Sequence, residues 1–300
     1  MGSVLYKRGM NPVYDFSAGD HAIMLADLVR LGAYRRAIIN QVKPGMAVAE
    51  IGTGTGILSA YAAAQTQGPV VAMEYFDTTA KMAEDMIRAA GLKQVKVLRG
   101  ESYDLTLDPQ PEVLITETIG AIGPEENIVE LCYDFKKRHP KLKTIIPSRL
   151  RVCAEPIRCK KVLDFEKKFF DYFSAASFGT FDFDAIRPAL AKIWTSDIPY
   201  TNLSEAEGLG HRIVLTDYAL GETKISAFSQ EIDLSGIDGV DAVHLYFEAQ
   251  LDDEVLLSTH RAQPETHWLH AYVRKPANSN RLTVSYSSPS ESVDARWSTN

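Results

Sequence analysis

Cysteine is scarce. The 300-residue chain holds three, Cys132, Cys153 and Cys159, and none stand in a CxxC spacing. That excludes a disulfide framework and a cysteine-based zinc site, so no metal is expected and a reducing compartment, the cytoplasm, is. No apolar run reaches the roughly 18 residues that a membrane-crossing helix needs. The opening residues MGSVLYKRGM also lack the apolar core of a secretory leader, so no membrane partner is expected. Basic side chains are outnumbered: 32 Lys and Arg against 39 Asp and Glu leave a net charge of −7. A nucleic-acid partner, which demands a basic face, is therefore excluded, and a cationic ligand is mildly favoured. Internal repeats and low-complexity tracts are absent. What is present, 45% hydrophobic and 24% charged residues, is the composition of a globular enzyme. The length predicts two domains, or one with a large appendage.

The first half alternates helix and strand. Residues 20–40 carry apolar side chains at Ile23, Met24, Ala26, Leu28, Leu31 and Tyr34, which predicts one or two amphipathic helices. Short apolar strands are predicted at 46–51, 70–73, 95–98 and 113–116, with helices at 57–64 and 78–90 between them. Such alternation predicts an α/β fold with a doubly wound parallel sheet. Beyond Ile146-Pro147 the pattern changes to period-2 segments at 150–157, 211–217, 224–232, 242–251, 267–273 and 281–287, the texture of antiparallel sheet, read as a barrel-like domain. The expected division is 1–146 and 147–300. At about 165–205 lies an aromatic-rich connection containing Phe169, Phe170, Tyr172, Phe173, Phe181, Phe183 and Trp194. So much aromatic surface must pack on something, and an arm docking on a second copy of the chain is the expectation, with a lid on the same domain as the alternative.

Two segments carry chemistry. In Glu50-Ile51-Gly52-Thr53-Gly54-Thr55-Gly56 a glycine-rich turn follows a strand and opens a helix, so Gly52, Gly54 and Gly56 let backbone approach a nucleotide cofactor. No third glycine stands where a pyrophosphate-binding motif wants it, and Glu74 ends the next strand, where its carboxylate can accept both ribose hydroxyls. Both details favour S-adenosylmethionine over a dinucleotide. Glu101 and Ser102, after the third strand, are expected beside adenine. The second segment, VLITETIGAIGPEE, ends a strand at Glu117 and brings Glu126 nine positions later beyond a Gly-containing turn. Read as a hairpin, it faces two carboxylates onto one planar cation. A guanidinium fits best, because its fixed fork of donors matches carboxylates bidentately. The competing reading is a pair of solvated surface glutamates.

Taken together these motifs resemble the protein arginine N-methyltransferase family. The helix His21 to Arg30 with Tyr34 and Ala37-Ile38 is similar to its cofactor-covering helices, and Gly52 to Gly56 to its first motif. Glu117 and Glu126 stand at its double-glutamate positions, Ile146-Pro147-Ser148 resembles its interdomain link, and Thr266-His267-Trp268 repeats its Thr-His-Trp loop. The resemblance implies a Rossmann-like class I methyltransferase sheet, a β-barrel-like domain with a dimerisation arm, and S-adenosyl-L-methionine as cofactor. It implies Arg30 as the cation for the cofactor's carboxylate, Met24 against the cofactor or methyl group, and an Asp27–His267 dyad that orients groups or accepts a proton. Glu117, Glu126, His267 and Trp268 then form the substrate pocket. Thr118, Ile119 and Ala121 replace the family's bulkier loop residues, and the segment after Trp268 is short. These departures favour free L-arginine or a small derivative over peptidyl arginine as substrate. Ile128 replaces a methionine, and its β-branched stiffness predicts a monomethyl product.

Overall fold

The computed structural model describes residues 4–5, 13–14, 16–175, 198–210, 212–288 and 292–298. A two-stranded ribbon of β1 (Val4–Leu5) and β2 (Val13–Tyr14) precedes two helices, α1 (Ala18–Ala26) and α2 (Leu28–Gln41). A capping box starts α1: the Ser17 side chain accepts the Asp20 amide while the Asp20 carboxylate accepts the Ser17 amide. At Asp27 the backbone leaves the helical region, and its carboxylate caps α2 by accepting the Arg30 amide at 2.9 Å. The break turns the helix faces apart. Leu31 and Tyr34 are buried, but Ile23 and Leu28, expected on the same inward stripe, are 61% and 76% exposed.

The parallel sheet follows in alternation: β3 (Val48–Ile51), α3 (Ile57–Ala63), β4 (Val70–Glu74), α4 (Asp77–Ala89), β5 (Val95–Arg99), β6 (Val113–Thr116), α5 (Ile128–Arg138) and β7 (Thr144–Ile146). Strand order is β5-β4-β3-β6-β7, with every pair parallel. The order reverses between β3 and β6, and in open α/β sheets that switch point opens a crevice at the carboxyl ends of the strands. Ile51 pairs with Met73 on one side and Thr116 on the other, so Gly52, Glu74 and Glu117 emerge side by side at that crevice. This corrects the hairpin reading. Glu117 ends a strand whose neighbours are parallel, and Glu126 sits in a 3-10 turn, Pro124–Glu126, that leads into α5.

The second half is antiparallel. Its elements are β8 (Arg149–Arg158), α6 (Lys160–Ala175), β9 (Tyr200–Thr201), β10 (Glu207–Gly208), β11 (Ile213–Ala219), β12 (Phe228–Asp233), β13 (Ala242–Gln250), β14 (Leu256–Ser258), β15 (His270–Arg274), β16 (Arg281–Tyr286) and β17 (Asp294–Trp297). Seven strands form one sheet around β8 and β13, and β12-β16-β17 form another. One hydrophobic cluster runs from Tyr34 and Ile38 through Ile115 and Phe135 to Phe247 and Val284, uniting both halves. Truncating a fully buried aromatic such as Phe247 would cost about 3–5 kcal/mol. Of the aromatic connection, α6 is described as backbone helix, whereas Phe181, Phe183 and Trp194 lie outside the described residues. Among the described residues no helix is long and apolar enough to cross a membrane, and no cluster of side chains could hold a metal ion.

Candidate active site

A cavity of about 530 Å³ occupies the crevice. Its floor is the turn after β3, with Glu74 and Thr79 on one side, Glu117, Thr118, Ala121 and Glu126 on the other, α1 and Arg30 above, and Tyr200, His267, Trp268 and Leu269 reaching in from the antiparallel half.

The glycines have different jobs. Gly52 has φ +69°, and a Cβ there would stand 2.8 Å from the Thr118 methyl. Gly54 has φ +56° and faces the His21 ring, which its Cβ would approach to 3.3 Å. Both line the cavity. Gly56, expected at the cofactor, does not; it caps α3 at φ +82°, where a Cβ would press on Ile87 of α4 at 3.1 Å, so its role is packing. Glu74 accepts the amide of Gly54 at 3.0 Å and those of Tyr75 and Phe76 at 2.9 and 3.2 Å, which fixes its carboxylate at the cavity wall. Glu101 and Ser102 stand outside the cavity lining; the Ser102 carbonyl accepts Arg138 at 2.7 Å instead. Sequence reasoning passed over Glu50, which also lines the cavity. Burial pushes its carboxyl up to about 7, against the hydroxyls of Ser59 and Thr53, which donate to it. Its one signal was a lone acid inside the apolar run AVAEIG.

Arg30 and Glu117 form a buried ion pair at 2.5 Å, and a second Arg30 nitrogen donates to the Met24 carbonyl at 2.7 Å. The Arg30 Nε is buried and among the described residues has no hydrogen-bond partner, an orphan cationic donor beside the cavity. Burial raises the Glu117 carboxyl despite Arg30. Glu126 is pushed well above the usual carboxylate range, first by burial and then by the charges of Glu117 and Glu125. Among the described residues no side chain or amide is hydrogen-bonded to the Glu126 carboxylate. Two carboxylates lining one cavity wall are what a fork of N–H donors would satisfy.

Asp27 ties the two halves together. Besides capping α2, it accepts the His267 amide at 2.9 Å and meets His267 Nδ1 at 2.8 Å. Burial would raise the Asp27 carboxyl, but these hydrogen bonds hold it below its ordinary value. In the neutral imidazole with Nδ1–H donating to Asp27, the other ring nitrogen is an acceptor. Trp268 donates from Nε1 to the Ile119 carbonyl at 3.1 Å and packs edge-on against Phe247. Ile119 itself turns inward and is 1% exposed. Leu269 holds φ +57°, an uncommon conformation for a leucine, at the cavity rim. Ile128 is fully buried and is not part of the cavity wall, so the argument from its stiffness to a monomethyl product has no surface through which to act.

Residues 29–107 match the family model described as protein-L-isoaspartate(D-aspartate) O-methyltransferase. The chain is 35% identical over 143 residues to a probable protein arginine N-methyltransferase 6 of Arabidopsis thaliana, covering 46% of this chain and 33% of the relative. It is 25% identical over 268 residues to an arginine N(omega)-methyltransferase of Streptomyces achromogenes subsp. streptozoticus, covering 84% of this chain and 70% of the relative. The chain spans about a third of the length of the first curated relatives it matches. Among solved structures, the Trypanosoma brucei PRMT1 enzyme-prozyme heterotetrameric complex with AdoHcy superposes with a TM-score of 0.68 at 21% identity, covering 90% of this chain and 87% of that one. The resemblance read from the motifs is borne out by these relatives, and the expected α/β class, a parallel sheet followed by an antiparallel domain, by the shared architecture.

Proposed function

We propose that the chain is an S-adenosylmethionine-dependent arginine omega-N-methyltransferase acting on free L-arginine or a small arginine derivative. The observation that carries this is a single cavity with a glycine turn and Glu74 at one end and two carboxylates, Glu117 and Glu126, at the other. The residues fit the cofactor. Glu74 would hold the ribose hydroxyls, Gly52 and Gly54 let the chain pass close, and the orphan Arg30 Nε–H is suited to a carboxylate, beside Met24. S-adenosylmethionine supplies an electrophilic methyl group.

The protein's own contribution is to make a guanidinium nucleophilic. In water its lone pairs are delocalised and it stays protonated. Glu117 and Glu126 on two N–H edges concentrate positive charge there and leave the third nitrogen directed at the methyl group, so positioning and preorganised charge do most of the work. The acceptor nitrogen of His267, backed by Asp27, receives the proton the product must lose. Trp268, hydrogen-bonded to Ile119, closes the wall beside the guanidinium.

Free arginine is favoured by the small side chains Thr118 and Ala121 and by the Streptomyces relative, whose named activity is on arginine and whose alignment covers most of both chains. Peptidyl arginine is the second reading, favoured by the relatives named as protein arginine N-methyltransferases. Incubation with labelled S-adenosylmethionine and, in parallel, L-arginine and an arginine-glycine-rich peptide separates the two. Label is expected in free arginine, and mass spectrometry counts the methyl groups added. Label confined to the peptide promotes the second reading, and label in neither acceptor ends the proposal.

The same proposal includes a homodimer. Ile23 on α1, which lines the cavity, and Leu28 on α2 are exposed, and the aromatic stretch at about 165–205 would cover them from a second copy. Light scattering should give twice the chain mass, and a monomer at micromolar concentration would refute it.

A further inference from the structure

Glu125 and Glu126 are neighbours in sequence with different surroundings: Glu126 lines the cavity and Glu125 does not. The Glu125 carboxylate accepts the Ile122 amide at 2.9 Å through one oxygen and the Gly123 amide at 2.7 Å through the other. The Gly120 amide donates to the Gly123 carbonyl at 2.9 Å. Residues 120–125 are thereby folded into a closed loop around one carboxylate. The fit excludes a side chain at Gly120, whose Cβ would stand 2.3 Å from a Glu125 oxygen. On the far side, the Pro124 carbonyl accepts the Tyr286 hydroxyl at 3.2 Å and the Asn127 amide at 3.1 Å. The turn that bears Glu126 is therefore fastened at both ends, while among the described residues the Glu126 carboxylate has no hydrogen bond of its own to aim it.

We infer that Glu125 is the positioning residue of this site: by clasping the Ile122 and Gly123 amides it fixes the backbone turn from which Glu126 projects toward the guanidinium. This rests on the arginine-methylating reading. A second consequence follows from charge. Glu117, Glu125 and Arg30 are the charged groups acting on Glu126: after burial, Glu117 and Glu125 raise its carboxyl and Arg30 lowers it, while burial raises the Glu125 carboxyl as well. Glu125 thus holds the turn that aims Glu126 and adds to the charge that opposes its ionisation.

The test uses the full chain with Glu125→Gln and Glu125→Ala. Gln keeps the shape and one acceptor but loses the charge; Ala loses the clasp altogether. Calorimetry with S-adenosylhomocysteine should give wild-type affinity in both, showing that the cofactor end is folded. Turnover of arginine should fall by about ten- to a hundredfold, more in Ala than in Gln, as expected for a misplaced group. KM for arginine should rise, and in Gln the acid limb of the kcat profile should move to lower pH, which a purely structural prop would not do. Wild-type kcat with an unmoved acid limb in Gln overturns the inference. So does loss of S-adenosylhomocysteine affinity in step with activity, which would make Glu125 a general support. A wild-type chain inert toward every arginine acceptor would fail the functional reading itself and remove the inference with it.

Discussion

If Glu117 and Glu126 receive a guanidinium, Glu126→Gln should abolish most methyl transfer and at the same time make the unliganded protein harder to unfold. Losing one charged partner of the guanidinium in a dry site costs about 2–4 kcal/mol of transition-state stabilisation, or roughly 30- to 900-fold in turnover at 1.36 kcal/mol per tenfold. The stability gain has the opposite origin. The folded Glu126 carboxyl is raised well above its ordinary value, by burial and by Glu117 and Glu125. A carboxyl raised on folding leaves stability intact below its unfolded value and erodes it as pH climbs toward the folded one. Gln removes that erosion, so the gain should grow with pH. Glu117→Gln should behave differently. It strips the partner from buried Arg30, which costs about 3 kcal/mol as an uncompensated charge, and it should weaken cofactor binding as well as turnover. Thermal unfolding and steady-state rates of the two variants check both halves. Equal stabilities, or wild-type turnover in either, would contradict the roles assigned.

Asp27→Ala should be the most damaging change away from the carboxylate pair. One side chain caps α2 and holds both the amide and the imidazole of His267. Losing a cap costs about 1 kcal/mol, and each donor left unsatisfied adds about 1 kcal/mol or more, so a loss of about 3 kcal/mol is expected in chemical denaturation. Because the Asp27 carboxyl is lowered on folding, its contribution is present above the ordinary value and disappears as pH falls through the folded one. Turnover should fall further than stability explains, since the His267–Leu269 loop loses its anchor. An unfolding free energy matching wild type would show that the clamp is idle.

These roles were partly legible in the sequence. Alternation of short apolar strands with helices gave the parallel sheet, and the glycine turn, Glu74 and Glu117 lie where that sheet converges. The hairpin expected at Glu117 is a crossover instead, because an apolar strand followed by glycines looks alike whether the chain returns beside it or crosses over; only pairing partners tell the two apart. The inward stripe of α1 failed at Asp27, where a capping side chain outweighed the helical period and turned Ile23 and Leu28 to the surface. Gly56 looked like its two neighbours, yet contact with Ile87 rather than a ligand demands it. The stiffness of Ile128 was a local property, while its burial is set by how α5 packs. In Pro124-Glu125-Glu126 the two acids are indistinguishable until the loop is folded, when one binds amides and the other lines the cavity.

The central claim is that Glu117 and Glu126 together receive a guanidinium, and calorimetric titration of L-arginine into protein saturated with S-adenosylhomocysteine tests it most directly. Across the pH range in which Glu126 titrates, in buffers of different ionisation enthalpy, binding should release protons, because a cation drawn between the carboxylates favours the ionised form of Glu126, whose carboxyl burial, Glu117 and Glu125 raise. In Glu126→Gln the proton release should vanish and the affinity should drop. Arginine that fails to bind, or that binds Glu126→Gln as tightly as wild type with the same proton release, would contradict the account.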